Sequence, residues 1–197
     1  MGVLRLGVLG SGNGSNFVAI QRAIKEGKLP AKVEVVVSDD PSAGILTQSR
    51  SFGLPTIALP PSRYKTRLEK ELESHLVELL QQHQVEWVIL AGFMRVVKSP
   101  LLQAFPNRVL NIHPSLLPEF KGLEAWKQAL TARVEETGCT VHLVNDHVDS
   151  GKILGQTRVP LLPGDTPESL HARIQVAEHR LLPEILRQIA TGEMKID

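Results

Sequence analysis

"GVLGSGNGSNF", residues 7–17, sets a glycine-rich turn directly between an aliphatic run and an apolar helical pattern. A buried strand that turns sharply into a helix is the opening unit of an α/β sheet. The free amides and the dipole at the helix start favour an anion there. Three ligand classes compete for the turn. A Walker phosphate loop ends in Gly-Lys-Ser/Thr, whereas this turn ends Gly14-Ser15-Asn16 and has no lysine. A dinucleotide fingerprint runs G-x-G-x-x-G. Here Gly10, Gly12 and Gly14 alternate and Ser15 holds the third glycine's place, although Asp39 at the end of the next apolar run could mimic the ribose-binding acid. The third class is a single phosphate held by backbone N–H groups, Ser15 and Asn16. A tight turn with no ligand is the remaining reading, and the turn alone leaves the choice open.

Outward from the turn, strands and helices alternate. "VLRLGVLG" (3–10) reads as a buried strand and "NFVAIQRAIKEG" (16–27) as a helix, with Phe17, Ile20 and Ile24 at helical spacing and Gly27 as its stop. "KVEVVVSDD" (32–40), "PTIALP" (55–60), "EWVILAG" (86–92) and the start of "RVLNIHPSLLP" (108–118) read as further strands. "AGILTQSRSFG" (43–53) reads as a short helix closed by Gly53. "SRYKTRLEKELESHLVELLQQHQ" (62–84) is expected to be the longest helix, with Leu68, Leu72, Leu76, Leu79 and Leu80 on one face. "GCTVHLVND" (138–146) and "GKILGQTRVPL" (151–161) supply two or three more strands. The last helix fits "DTPESLHARIQVAEHRLLPEILRQIATG" (165–192), with Thr166 as N-cap and Pro167 in the first turn. Strands apolar throughout predict a doubly wound, mostly parallel sheet covered on both faces, with antiparallel pairing after residue 140.

Bulk composition narrows the class. The chain has 197 residues, 42% apolar and 22% charged, with a net charge of +1. That is enough for one well-cored globular domain. No basic stretch asks for nucleic acid, and no segment is long and apolar enough to span a bilayer. The N-terminus lacks a signal-peptide pattern, and the single cysteine, Cys139, excludes an intrachain disulfide and any zinc spacing. A cytoplasmic protein acting on small molecules is expected.

Two polar stretches follow apolar strands, "AGFMRVV" (91–97) and "NIHPSLLPEFKG" (111–122). In an open α/β sheet, ligands bind outside the carboxyl ends of the strands. Asn111 and His113 alternate on a strand end, so their side chains point the same way. An asparagine amide can donate to an oxyanion, and a histidine can take or give a proton near neutral pH. "NDHVDSG" (145–151) adds Asp149, whose charge beside His113 would favour imidazolium. Strand capping, a satisfied core histidine and ordinary turn chemistry account for the same residues equally well when each is taken alone.

Taken together, these pieces resemble the phosphoribosylglycinamide formyltransferases, the folate-dependent family of purine synthesis. The resemblance covers nearly the whole chain, in the family's order: "SGNGSN" (11–16), "LAGFMRV" (90–96), "NIHPSLLP" (111–118) followed by "FKGLEAWKQAL" (120–130), "GCTVHLVNDHVDSG" (138–151) and "QVAEH" (175–179). It implies one formyltransferase domain over residues 1–197, with 1–100 as a phosphate-binding half and 101–197 as a folate and catalytic half. It implies 10-formyltetrahydrofolate as co-substrate, no metal, and a monomer or homodimer. Asn111, His113 and Asp149 would be catalytic, with His113 kept protonated by Asp149. Gly14, Ser15 and Asn16 would take the ribonucleotide phosphate, and Gln175, Val176, Ala177 and Glu178 would face the ribose. The folate would meet Met94, Arg95, Val96, Val97, Asn111 and residues Asn145, Asp146, His147, Val148 and Asp149. A basic contact would come from Arg63, Lys65 or Arg67, with Lys65 favoured by alignment. His142 is expected to be structural. Competing functions are a formyltetrahydrofolate hydrolase using the same three residues, a methionyl-tRNA formyltransferase, a non-catalytic folate or nucleotide binder, and a dinucleotide oxidoreductase. The hydrolase is disfavoured because such relatives carry an extra N-terminal domain, and the tRNA enzyme because it needs a larger, basic chain.

Overall fold

A computed structural model describes residues 2–196; Met1 and Asp197, the ends of the predicted 1–197 unit, lie outside the described residues. The elements run β1 (Leu4–Leu9), α1 (Ser15–Lys25), β2 (Ala31–Ser38), α2 (Gly44–Ser51), β3 (Thr56–Ala58), α3 (Lys70–Gln82), β4 (Trp87–Leu90), α4 (Ser99–Ala104), β5 (Val109–His113), α5 (Ala125–Ala132), β6 (Glu136–Leu143), β7 (Ile153–Pro160) and α6 (Pro167–Thr191). All seven strands form one sheet in the order β3-β2-β1-β4-β5-β6-β7. The first five are parallel, while β6 and β7 are antiparallel to their neighbours. The predicted doubly wound sheet with late antiparallel strands is what the chain adopts.

Strand alternation builds a core on each face. Trp87 and Ile89 of β4 point to one side and Val88 and Leu90 to the other. The first face is covered by α1, α2, α5 and α6, which contribute Phe17, Ile20, Ile45, Leu170 and Ile174. The second is covered by α3 and α4, which contribute Leu76, Leu80 and Leu101. The predicted helix ends hold: Gly27 and Gly53 both take positive φ, and Thr166 caps α6 in a reciprocal box with Ser169.

Two sequence readings are corrected. The helix expected over 62–84 begins only at Lys70, and α6, at 25 residues, is the longest helix. The Glu69 carboxylate folds back to accept from Ser62 Oγ at 2.6 Å and from the Arg63 amide at 2.5 Å, which pins 62–69 as a loop. The same segment runs beside 94–97, where the Val96 amide donates to Thr66 O at 2.8 Å and Arg67 pairs with Val96 as a parallel bridge. Leu68 is still buried, but from extended chain. The second correction is a pair of helices the periodicity did not reveal, α4 and α5. Within the one or two strands expected of 151–161, the chain forms the single strand β7. Among the described residues, no helix is long and apolar enough to cross a membrane.

Candidate active site

Strand β1 pairs with both β2 and β4, so the chain leaves it in one direction and later returns on its other side. A crevice opens at such a switch point, outside the carboxyl ends of the strands. Here it is a cavity of about 650 Å³. The glycine turn after β1, residues 91–97 after β4, His113 and Pro114 at the end of β5, and His142, Val144, Asn145 and residues 147–149 from the end of β6 onward all line it, with α6 along one side.

At one end lies the start of α1. Gly14 has φ +81°, and a Cβ there would fall 2.8 Å from Ile45, so both the turn and the close approach require glycine. No side chain caps α1, which leaves its leading amides facing the cavity beside Ser15. The side chain of Asn16 is turned elsewhere: Nδ2 donates to Glu178 Oε2 at 2.8 Å. Burial lifts the Glu178 carboxyl to about 7, against the lowering effect of that bond. Its α6 neighbours on the cavity are Gln175 and His171, one and two turns back. Val176 and Ala177 lie outside the cavity, Val176 toward solvent and Ala177 in the core, because each residue turns the helix by about 100°.

At the other end four side chains meet. His113 Nδ1 lies 3.4 Å from Asp149 Oδ2, and its Nε2 lies 2.9 Å from Phe120 O. Both ring nitrogens therefore face acceptors, an arrangement fully satisfied only by imidazolium. Burial opposes that charge and outweighs both Asp149 and the Phe120 carbonyl, so the His113 pKa falls below the ordinary imidazole value. Burial, the larger effect, thus works against the imidazolium expected from the sequence, while both acceptors favour it. For Asp149, burial works against ionisation, yet His142, His113 and the Gly122 amide outweigh it and hold the carboxyl below its usual range. That amide donates to Asp149 Oδ2 at 2.8 Å.

His142, expected to be structural, belongs to this cluster. Its Nδ1 lies 2.8 Å from Leu143 O, which fixes the neutral ring's proton there. In that neutral ring Nε2 accepts from Asn111 Nδ2 at 3.2 Å; a proton on Nε2 would instead face Asp149 Oδ1, 3.6 Å away, and support that carboxylate's charge. The ring thereby orients the Asn111 amide with one N–H to itself and one to spare. The only sign of this in the chain is strand register: Asn111 pairs with His142 across β5 and β6.

Met94, Arg95, Val96, Val97, Asn145, His147 and Val148 all line the cavity. Asn145 is already engaged by its own loop, donating to Ser150 O and accepting from the His147 amide. Asp146 lies outside, its carbonyl accepting from Lys98 Nζ at 3.4 Å. Lys65 is exposed and also outside, and so are Arg63 and Arg67. Two residues absent from the sequence reading also form the wall: Trp126 of α5 and His171 of α6 stack with ring centroids 3.8 Å apart and 5° between planes. Asp39 is not open to a dinucleotide ribose, since both carboxylate oxygens are taken, Oδ1 by Ser11 Oγ and Oδ2 by Arg95 Nε.

Known proteins share this architecture. The formyl transferase family model matches residues 4–186. Phosphoribosylglycinamide formyltransferase of Bacillus subtilis is 38% identical over 185 residues, 94% of each chain. The human trifunctional purine biosynthetic protein adenosine-3 is 40% identical over 192 residues, which are 98% of this chain but only 19% of that protein. The crystal structure of glycinamide ribonucleotide transformylase 1 from Symbiobacterium toebii superposes with a TM-score of 0.94 at 47% identity, covering 99% of this chain and 91% of the other. A formyltetrahydrofolate deformylase from Pseudomonas syringae, at 22% identity and a TM-score of 0.90, shares the fold. With a family match from β1 into α6 and relatives of this identity over nearly its whole length, the chain belongs to the formyl transferase family.

Proposed function

We propose that the protein transfers the formyl group of 10-formyltetrahydrofolate to the primary amine of N1-(5-phospho-D-ribosyl)glycinamide, a step of purine synthesis. The observation that carries this reading is one cavity with an uncapped helix start at one end and the Asn111–His142–Asp149–His113 cluster at the other. The phosphate sits on the amides of Gly14, Ser15 and Asn16, where the helix dipole favours it. Gln175 and Glu178 meet the ribose, and Val176 and Ala177 shape that turn of α6. The folate occupies the side formed by Met94 to Val97 and by Asn145 to Asp149, with Lys65 at its exposed end. Residues 1–100 supply the phosphate loop and 101–197 the catalytic side chains.

The amine attacks the formyl carbon, a C–N bond forms, and charge builds on the formyl oxygen. The spare Asn111 N–H and the His113 ring, with the formyl oxygen taking the Phe120 carbonyl's place at Nε2, stabilise that oxyanion. The amine's proton passes to the ring or a neighbouring base, and Asp149 holds the imidazolium so formed. Collapse breaks the bond to the folate nitrogen, which takes up the proton. One such oxyanion donor commonly contributes about 2.7–4 kcal/mol.

The test is folate turnover followed by absorbance, with and without the ribonucleotide. Deformylation only in its presence supports transfer. Deformylation without it identifies water as acceptor, and no deformylation at all leaves a binder.

A further inference from the structure

We propose that Asp39 is a positioning residue that ties the phosphate loop to the folate-facing strand end and thereby sets the distance between the two substrates. This rests on the formyl-transfer reading of the cavity.

Asp39 follows β2 and its side chain is only 7% exposed. Its neighbour Asp40 performs the local turn chemistry, accepting from the Ser42 amide at 2.8 Å and from Ser42 Oγ at 2.6 Å. Asp39 makes no such local bond. It reaches Ser11, 28 residues away, at 2.5 Å through Oδ1, and Arg95, 56 residues away, at 2.5 Å through Oδ2. Ser11 closes the ring by accepting from the Met94 amide at 2.8 Å. The turn after β1 and the segment after β4, already joined where the Ser11 amide donates to Gly92 O at 3.0 Å, are thus tied a second time through one carboxylate and one hydroxyl. Arg95 also donates to Tyr64 O, which brings the loop carrying Lys65 into the same frame. The two bonds to the carboxylate are charge-assisted and partly buried, which favours a held geometry. Arg95, with Nε on Asp39 and Nη1 on Tyr64, is committed to holding backbone in place. An asparagine at 39 removes the negative charge that Arg95 faces and replaces one acceptor oxygen with an N–H donor, so the bond to Ser11 must reverse its direction or the bond to Arg95 is lost.

The experiment compares wild type with Asp39→Asn and Ser11→Ala. Affinities for the ribonucleotide and for a non-reacting dideazafolate are measured separately by calorimetry, with kcat, melting temperature and hydrogen exchange at the Met94 and Val96 amides. Asp39→Asn is expected to weaken both ligands about tenfold and to lower kcat on the order of a hundredfold. Ser11→Ala, altered on the phosphate side, is expected to weaken the folate analogue as well. Weakening of one ligand only, or of neither in a folded variant, overturns the proposal. If Asp39→Asn does not fold, the cross-effect of Ser11→Ala decides. If wild type binds neither ligand, the formyl-transfer reading fails; the tie itself then stands if exchange at Met94 and Val96 quickens in Asp39→Asn and falls if it does not.

Discussion

The Asn111 amide is oriented by its hydrogen bond to the His142 ring. Two consequences can be separated kinetically. Asn111→Ala removes the donor and is expected to lower kcat about 10²- to 10³-fold with little change in KM. His142→Phe leaves the donor but frees its rotation and should lower kcat less; a larger loss than Asn111→Ala would give His142 a more direct part. His113 and Asp149 carry a pH signature. The His113 pKa lies below its ordinary value, and Asp149 is what keeps it from falling further. The acid limb of kcat/KM should therefore lie below about 6.5 and move to lower pH in Asp149→Asn. An upward shift would reverse the assigned signs. Glu178 gives a stability signature. Its folded pKa, about 7, exceeds the unfolded value, so the folded chain keeps a proton that the unfolded chain has lost. Stability should fall as pH rises from about 4.3 toward 7 and level off above, and Glu178→Gln should flatten that slope, worth on the order of 3 kcal/mol, in urea titrations at several pH values.

Elements were legible where local chemistry marks their ends. Glycine stops α1 and α2, Thr166-Pro167 starts α6, and the parallel strands are apolar runs. Thr166→Ala should cost about 1 kcal/mol in thermal unfolding. Elements were illegible where their ends are set from far away. Helix α4 is only six residues, and its leading amides at Lys98 and Leu101 donate to Glu73 of α3, a buried acid 25 and 28 residues earlier. Helix α5 is bounded by Glu124 and Arg133, both at positive φ, with no glycine, serine or asparagine to announce either end. In the loop 62–69, Leu68 continues the helical spacing of Leu72 and Leu76, yet the loop lies against residues 94–97 that no local rule brings near. The turn between β6 and β7 offers a direct check. A Cβ at Gly151 would fall 1.6 Å from Leu143 O, so Gly151→Ala must displace the loop that carries Asp149. Turnover should drop on the order of a hundredfold, more steeply than ribonucleotide affinity.

At the scale of the whole molecule, the site is a product of topology. The glycine turn, Asn111, His113 and Asp149 could be picked out one by one, but each fitted a purely structural account until the strand order placed them around one cavity. The antiparallel entry of β6 brings His142 to Asn111 and returns the chain to the same sheet edge with Asp149. Residue type carries no record of that register, and for this reason His142 reads as structural and the stack of Trp126 on His171 goes unread. A ligand that binds the folded chain and not the unfolded one raises the melting temperature, so each should do so, and at a hundredfold excess over Kd the stabilisation should be about 2.7 kcal/mol. Ser15→Ala should shrink the ribonucleotide's shift and spare the folate analogue's. Equal losses would detach the phosphate from this loop.

The bond between Asn16 and Glu178 joins the second element of the chain to its last, across 162 residues. At translation rates of 5–20 residues per second, roughly ten to thirty seconds separate the appearance of the two. Throughout that interval the growing chain displays its glycine turn without the helix that walls the cavity and covers the first core. A nascent chain therefore has no competent pocket in which to trap either substrate. Catalytic capacity arrives all at once, with the closing of the C-terminal helix, and a ribosome-bound chain stalled before residue 178 should be inert toward both ligands.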